Sequence, residues 1–207
     1  MLLSIPEHYC HIGLFGGSFD PPHWGHIRTA ARACDELKLE LLAFLPAVHP
    51  PHKRDQTLTP FSLRRQMLEL CLSLDARFRL CLVEAEFDLG GTTLATVAKL
   101  RELGYTEERC HLIWLIGSDS LLELDSWRQP DELLDSIAVA VLPRTGYSAQ
   151  EARQKYLKKV QLLNTPLIDL AAHDIRSKRR TLEESVPAPV AEFIRQEELY
   201  GYHKDSK

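Results

Sequence analysis

Two histidines three residues apart, His23 and His26, close the stretch Gly16-Gly17-Ser18-Phe19-Asp20-Pro21-Pro22-His23-Trp24-Gly25-His26. Ile27, Ala30, Ala31, Cys34 and Leu37 follow at helical spacing, so both imidazoles fall on one face of a first helical turn. A helix start offers free N–H groups and the positive end of its dipole, and the chemistry this corner suits is the handling of a phosphate. Gly16 and Gly17 permit positive φ and let the backbone approach a ligand. Gly25 leaves open the space between the histidines, where a base or ribose would lie.

Other stretches could meet a polyanion or its partner. The loop 46–54 is stiff with proline and basic at its end, which makes Lys53 a candidate for a polyphosphate edge. Its His49 and His52 have ligand-like spacing but no third ligand nearby, so no protein-held metal is expected. Gly90-Gly91-Thr92-Thr93 precedes a helix and reads either as a simple cap, with Thr93 as N-cap, or as N–H groups waiting for an anion. Gly117-Ser118-Asp119 follows a strand, at the kind of strand end where open α/β sheets bind ligands, although an aspartate there is more commonly a helix cap. Trp127 sits in a polar context unlike that of a core tryptophan, and Arg144 stands at the end of another apolar run.

These groups need a scaffold that gathers strand ends on one side. Continuous apolar runs ending at Phe15 and spanning 41–45, 78–83, 111–116 and 137–142 read as buried strands, and amphipathic segments alternate with them. The first helix is expected to end near Lys38. A second starts with Thr59 as N-cap and Pro60 at N1 and runs to about Leu74, and a third runs from Thr93 toward Gly104. Residues 149–163 read as solvated helix, 166–170 as a last strand, and Val190, Phe193 and Ile194 as the apolar face of a closing helix. The pattern predicts a mostly parallel sheet covered on both faces.

At 207 residues and 44% hydrophobic content, one domain over 1–207 with a C-terminal helical part from about 171 is expected. A net charge of −4 argues against a broad surface for nucleic acid, so small-molecule partners are expected. Five cysteines, an odd number without a Cys-x-x-Cys pair, read as buried thiols of a reducing compartment. With no long apolar span and no basic-start signal peptide, a cytoplasmic location is expected and no membrane partner. The Gly-x-Gly-x-x-Gly and Gly-x-x-x-x-Gly-Lys-Ser/Thr patterns are absent, which weakens dehydrogenase and P-loop readings.

Gly-Gly-Ser-Phe-Asp-Pro-Pro-His-Trp-Gly-His resembles the signature of the nucleotidyltransferases with a His/Thr-x-Gly-His motif, and among them that of the bacterial nicotinate mononucleotide adenylyltransferases. The resemblance covers nearly the whole chain. It implies a Rossmann-like nucleotidyltransferase fold and a reaction in which ATP and nicotinate mononucleotide give nicotinate adenine dinucleotide and pyrophosphate, with Mg²⁺ accompanying ATP. It further implies His23, His26 and Arg176 as catalytic groups. Gly16, Gly17, Ser18, Phe19, Gly25, Lys53, Gly117, Asp119, Arg144 and Ile175 would line the ATP site, and Thr92, Thr93 and Trp127 the mononucleotide site. The chain departs from the family at Ala171-Ala172-His173, where hydroxyl residues are usual. Two alternatives stay open: another acceptor, such as nicotinamide mononucleotide or phosphopantetheine, and a catalytically weakened nucleotide-binding relative.

Overall fold

The computed structural model describes residues 7–50, 57–87 and 89–203. Among them, six strands form one sheet: β1 (Cys10–Gly17), β2 (Leu41–Pro46), β3 (Phe78–Leu80), β4 (Cys110–Gly117), β5 (Ala138–Leu142) and β6 (Val160–Leu162). Their order is β3-β2-β1-β4-β5-β6 and every pairing is parallel, so the expectation of a mostly parallel sheet is exceeded. The connecting helices are α1 (Trp24–Glu36), α2 (Phe61–Glu69), α3 (Val83–Glu86), α4 (Thr93–Glu102), α5 (Ser118–Leu122), α6 (Pro130–Ser136), α7 (Gln154–Leu157), α8 (Ala172–Arg176), α9 (Leu182–Ser185) and α10 (Ala188–Gln196).

Successive residues of a strand face opposite sides, and both sides of this sheet are covered. Phe15, Phe44, Leu115 and Leu142 enter one core with Ile27 of α1, Met67 and Leu68 of α2, and Val190 and Ile194 of α10. Ile12, Leu14, Leu45, Trp114 and Val141 enter the other, with Val97 and Leu100 of α4 and Leu133 of α6. This double burial is why the strands read as unbroken apolar runs.

β1 has β2 on one side and β4 on the other, so the strand order reverses between β1 and β4. The crevice outside the carboxyl ends of two such strands is where open parallel sheets take ligands. Here the loop carrying His23 leaves one of them and Gly117 ends the other.

Several local expectations are corrected. The sixth strand lies at Val160–Leu162, inside the segment read as helix, and 166–170 pairs with no strand. That segment instead runs along the rim of the switch-point crevice. α1 ends at Glu36, two residues early, and Lys38 follows with φ +53°. Pro60 rather than Thr59 is the N-cap of α2, Val83 begins a helical turn instead of ending β3, and Thr92 rather than Thr93 caps α4 by accepting the N–H of Ala95 at 3.4 Å. No helix among the described residues is long and apolar enough to cross a membrane.

Candidate active site

The corner after β1 is built differently from its sequence expectation. Gly16 and Gly17 belong to the strand, and neither takes positive φ; the residue that turns the chain is Phe19, at φ +47°. The glycines make room for rings. A Cβ on Gly16 would meet Trp114 Cζ2 at 3.1 Å, and one on Gly17 would meet Phe19 Cζ at 3.0 Å. The Phe19 side chain is part of the core, edge-on to Phe15, His26 and Phe44.

Beneath this turn lies Arg64 of α2, whose guanidinium is buried and donates to the carbonyls of Ser18 at 2.7 Å, Ala47 at 2.9 Å and Thr59 at 2.9 Å. Burial works against its charge and Asp20 supports it. Asp20 is itself buried: one carboxylate oxygen accepts from the Tyr200 hydroxyl at 2.6 Å, the other from the Thr59 N–H at 3.3 Å. Its backbone carbonyl accepts from Arg176 at 2.7 Å. Sequence reasoning missed this group. An arginine within the apolar stripe Phe61, Arg64, Leu68 was the one local signal; the Asp20–Tyr200 contact spans 180 residues and left none.

His23 is the N-cap of α1 and His26 its third residue, and their rings stack at 3.7 Å between centroids with 27° between planes. The His23 backbone N–H donates to His26 Nδ1 at 3.3 Å, which satisfies a donor at the helix start and leaves the proton of the neutral imidazole on Nε2. His23 is 2% exposed. Burial first, and the positive charge of Arg144 second, bring its pKa down to about 3, so it is neutral at pH 7. Its Nδ1 has no hydrogen-bond partner among the described residues. Gly25 is required for this arrangement, since a Cβ there would lie 2.8 Å from His23 Cε1 and Nδ1 and 3.3 Å from the Leu170 carbonyl. The space that the glycine leaves adjoins the His23 imidazole.

Arg144, Gly117, His23, Gly25 and His26 line one cleft, joined by Phe15, Thr29, Pro143, Ile168 and Leu170. Thr29 follows His26 at helical i, i+3 spacing, a signal the sequence carried and the expectation omitted. Arg144 is held in two ways. Its N–H donates to Ser118 Oγ at 3.0 Å, and Ser118 in turn donates to the Tyr147 carbonyl at 3.0 Å. Its side chain crosses Gly117, where a Cβ would meet Arg144 Nε at 3.0 Å and Asp119 Oδ1 at 2.1 Å. Asp119 faces the guanidinium at 3.6 Å through an oxygen that is otherwise without a hydrogen bond among the described residues.

The remaining expected site residues stand apart from this cleft. Ile175 is wholly within the core, Thr92 caps α4, and Thr93 opens that helix. Trp127 is half-buried and packs against the second core. Ser18 offers its carbonyl to Arg64, and Lys53 and His52 lie outside the described residues. His173 is exposed on α8. Among the described residues no three His, Cys, Asp or Glu side chains come together to hold a metal.

The cytidylyltransferase-like family model matches residues 14–182, from β1 into α9. The chain is 34% identical to a protein of Thermomicrobium roseum named "Probable nicotinate-nucleotide adenylyltransferase", over 91% of each chain. It is 32% identical to a protein of Exiguobacterium sibiricum with the same name, over 92% of this chain and 98% of that one. Among solved structures it is similar to the Plasmodium falciparum nicotinic acid mononucleotide adenylyltransferase complexed with APC, with a TM-score of 0.71, 16% identity and coverage of 94% and 98%. The same enzyme complexed with NaAD gives 0.70 at 17% identity, covering 95% and 98%. A match over most of the chain, identity above 30% with relatives of nearly equal length, and the same fold lead to one conclusion: this chain is a nucleotidyltransferase of the cytidylyltransferase-like family and belongs among the nicotinate-nucleotide adenylyltransferases.

Proposed function

We propose that the chain transfers the adenylyl group of ATP to nicotinate mononucleotide, giving nicotinate adenine dinucleotide and pyrophosphate. The observation that carries the reaction class is the stacked His23–His26 pair at the start of α1, lining one cleft with Arg144 at the switch point. The acceptor is supported by the name its relatives carry. A phosphate oxygen of the mononucleotide bonds to the α-phosphorus of ATP, the bridge between α- and β-phosphorus breaks, and its electron pair leaves with pyrophosphate. No protein nucleophile is needed, and the protein's part is alignment and charge.

The residues divide that work. Arg144 supplies the fixed cation of the cleft, and His26 offers Nε2–H as a donor because its Nδ1 is occupied. His23 starts neutral, so it is not the standing positive charge that the motif alone suggests. A triphosphate seated against Arg144 cancels the charge that helps to depress His23 and adds its own, which raises the pKa of the imidazole as the polyanion arrives. Arg176, tied to the Asp20 carbonyl, adds a second cation beside the histidine loop. Mg²⁺ enters with ATP as part of the substrate, ligated by phosphate oxygens and water.

Ala171 and Ala172 stand where the family resemblance implies hydroxyl residues, a loss of about 0.5–1.5 kcal/mol for each neutral contact, which weakens ATP binding without removing the charged groups. We read the chain as one domain, and its five buried free thiols favour the cytoplasm. Pyrophosphate release from MgATP, measured with nicotinate mononucleotide, nicotinamide mononucleotide and phosphopantetheine, tests the proposal. Release is expected with the first, and release with another alone reassigns the acceptor. ATP binding without release from any of them sinks the transferase reading. Trp127→Ala is expected to raise KM for the mononucleotide and leave that for ATP unchanged, because stacking on a ring is worth about 1–3 kcal/mol. Equal changes in the two KM values would make Trp127 structural.

A further inference from the structure

The polypeptide returns to the histidine loop at its far end. After α10, the residues Leu199–Gly201 form a single 3₁₀ turn in which Glu198 and Tyr200 take left-handed backbone angles, at φ +52° and +55°. Non-glycine residues avoid that region unless the surroundings over-determine it. What determines it here is visible on the side chain of Tyr200. Its hydroxyl donates to Asp20 Oδ1 at 2.6 Å, and burial together with the Asp20 charge pushes the phenol pKa upward, so the hydroxyl keeps its proton. Asp20 is three residues before His23 and one after the left-handed Phe19, and the two elements between them are prolines. There is little slack through which a shift of Asp20 could be absorbed before it reached the imidazoles.

The same turn also grips the helix that carries Arg176. The Gly201 carbonyl accepts from Lys178 Nζ at 2.6 Å, and the Tyr202 hydroxyl donates to the Ile175 carbonyl at 3.2 Å. Arg176 then closes the circuit by donating to the Asp20 carbonyl at 2.7 Å. The two halves of the cationic site, a loop near residue 20 and a helix near residue 175, are thus tied to one short segment near residue 200.

We infer that Tyr200 is a positioning residue for the adenylyl transfer: through the Asp20 carboxylate it sets the placement of the His23–His26 loop against Arg176. The inference rests on the function proposed above. A hydroxyl that only sealed the core would affect stability, whereas one that sets the geometry of charges used in the transition state affects kcat at constant KM. Tyr200→Phe keeps the ring and its packing and removes the bond to Asp20. The expected result is a fall in kcat of tenfold or more, with both KM values within twofold of wild type and a melting temperature within a few degrees. Asp20→Asn is expected to lower kcat similarly, and the double variant to be no slower than the worse single one, since both act on one link. If Tyr200→Phe does not fold, Asp20→Asn with an intact Tyr200 carries the same kcat test. An unchanged kcat in the folded variants, or losses that multiply in the double variant, overturns the inference. Wild-type protein assayed alongside separates the two readings, because its failure to release pyrophosphate removes the proposed function, whereas active wild type with an equally active Tyr200→Phe removes only the role of Tyr200.

Discussion

The sheet carries a pair of histidines at each end. At the carboxyl ends of the strands, His23 and His26 stack at 3.7 Å on the start of α1, with one ring buried and the other holding a backbone N–H. At the amino ends, His11 of β1 and His111 of β4 are register neighbours whose rings meet edge-on at 5.4 Å, His111 exposed and His11 half-exposed. Both pairs include a depressed imidazole. His23 is lowered mainly by burial, then by Arg144; His111 is also lowered by burial first, with His11 and Arg101 adding and Glu107 opposing. Residue type, proximity and direction of shift therefore do not separate the pair proposed to handle phosphate from the other. Polarity of the fold does. In a parallel sheet every helix that follows a strand starts at the carboxyl edge and presents its N–H groups there, while helix carbonyl ends collect at the other edge. An anion has a favourable field at one end only.

The sharpest way to break this contrast is to delete an imidazole from each end. His23→Ala and His26→Ala are expected to lower kcat by about 10²–10³, roughly 3–4 kcal/mol, with a smaller effect on ATP binding, as is usual for a donor used in the transition state. His11→Ala and His111→Ala should leave kcat within twofold of wild type. Comparable losses at the two ends, measured as pyrophosphate release, would remove the distinction. Next in size is Gly25→Ala. A Cβ placed 2.8 Å from the His23 ring must push it away, so an overpacking cost of about 1–3 kcal/mol is expected together with a fall in kcat. A variant with normal melting and normal turnover would show that the stack is not set by that glycine.

The smallest effect sharpens the contrast through pH. His23 is neutral in the fold and protonates below about 6.5 in the unfolded chain, so the unfolded state binds more protons between pH 6.5 and about 3. Stability from this group is complete above pH 6.5 and is lost as the pH falls, by about 1.4 kcal/mol per pH unit. Denaturant melts between pH 7 and 5 should show this slope, and His23→Gln should flatten it. The exposed His111, shifted in the same direction, should contribute far less. An identical pH slope in wild type and His23→Gln would mean that His23 binds protons equally in the folded and unfolded chain, so that the fold does not lower its pKa.

What could be read from residues alone follows from how local its cause is. The strands were legible because burial on both faces leaves runs such as 41–45 and 111–116 uninterrupted, and the motif loop was legible because a helix start needs only neighbours in sequence. β6 was not. It is a three-residue edge strand, largely exposed, with Gln161 at its centre, so neither apolar content nor length marks it. The segment 166–170 misled for the opposite reason: Ile168 and Leu170 are apolar because they line the cleft, not because they pair. At the site, glycines at 16 and 17 suggested positive φ, but ring packing was their purpose and Phe19 made the turn. The neutrality of His23 depends on burial and on Arg144, 121 positions away. Such facts belong to the folded chain.

Arg64 has a bearing on how the protein would fail in a living cell. Its fork holds three carbonyls from two separate connections, Ser18 after β1 and Ala47 and Thr59 between β2 and α2, and lysine, a single ammonium on a flexible stem, cannot reproduce that geometry. Loss of the arginine leaves buried carbonyls without donors and lowers the folded fraction, while each molecule that still folds keeps His23, His26, Arg144 and Arg176. The phenotype of such an allele would be one of temperature and abundance: growth at permissive heat, loss of the protein to proteolysis above it, and rescue by overexpression that no substitution at His23 would permit.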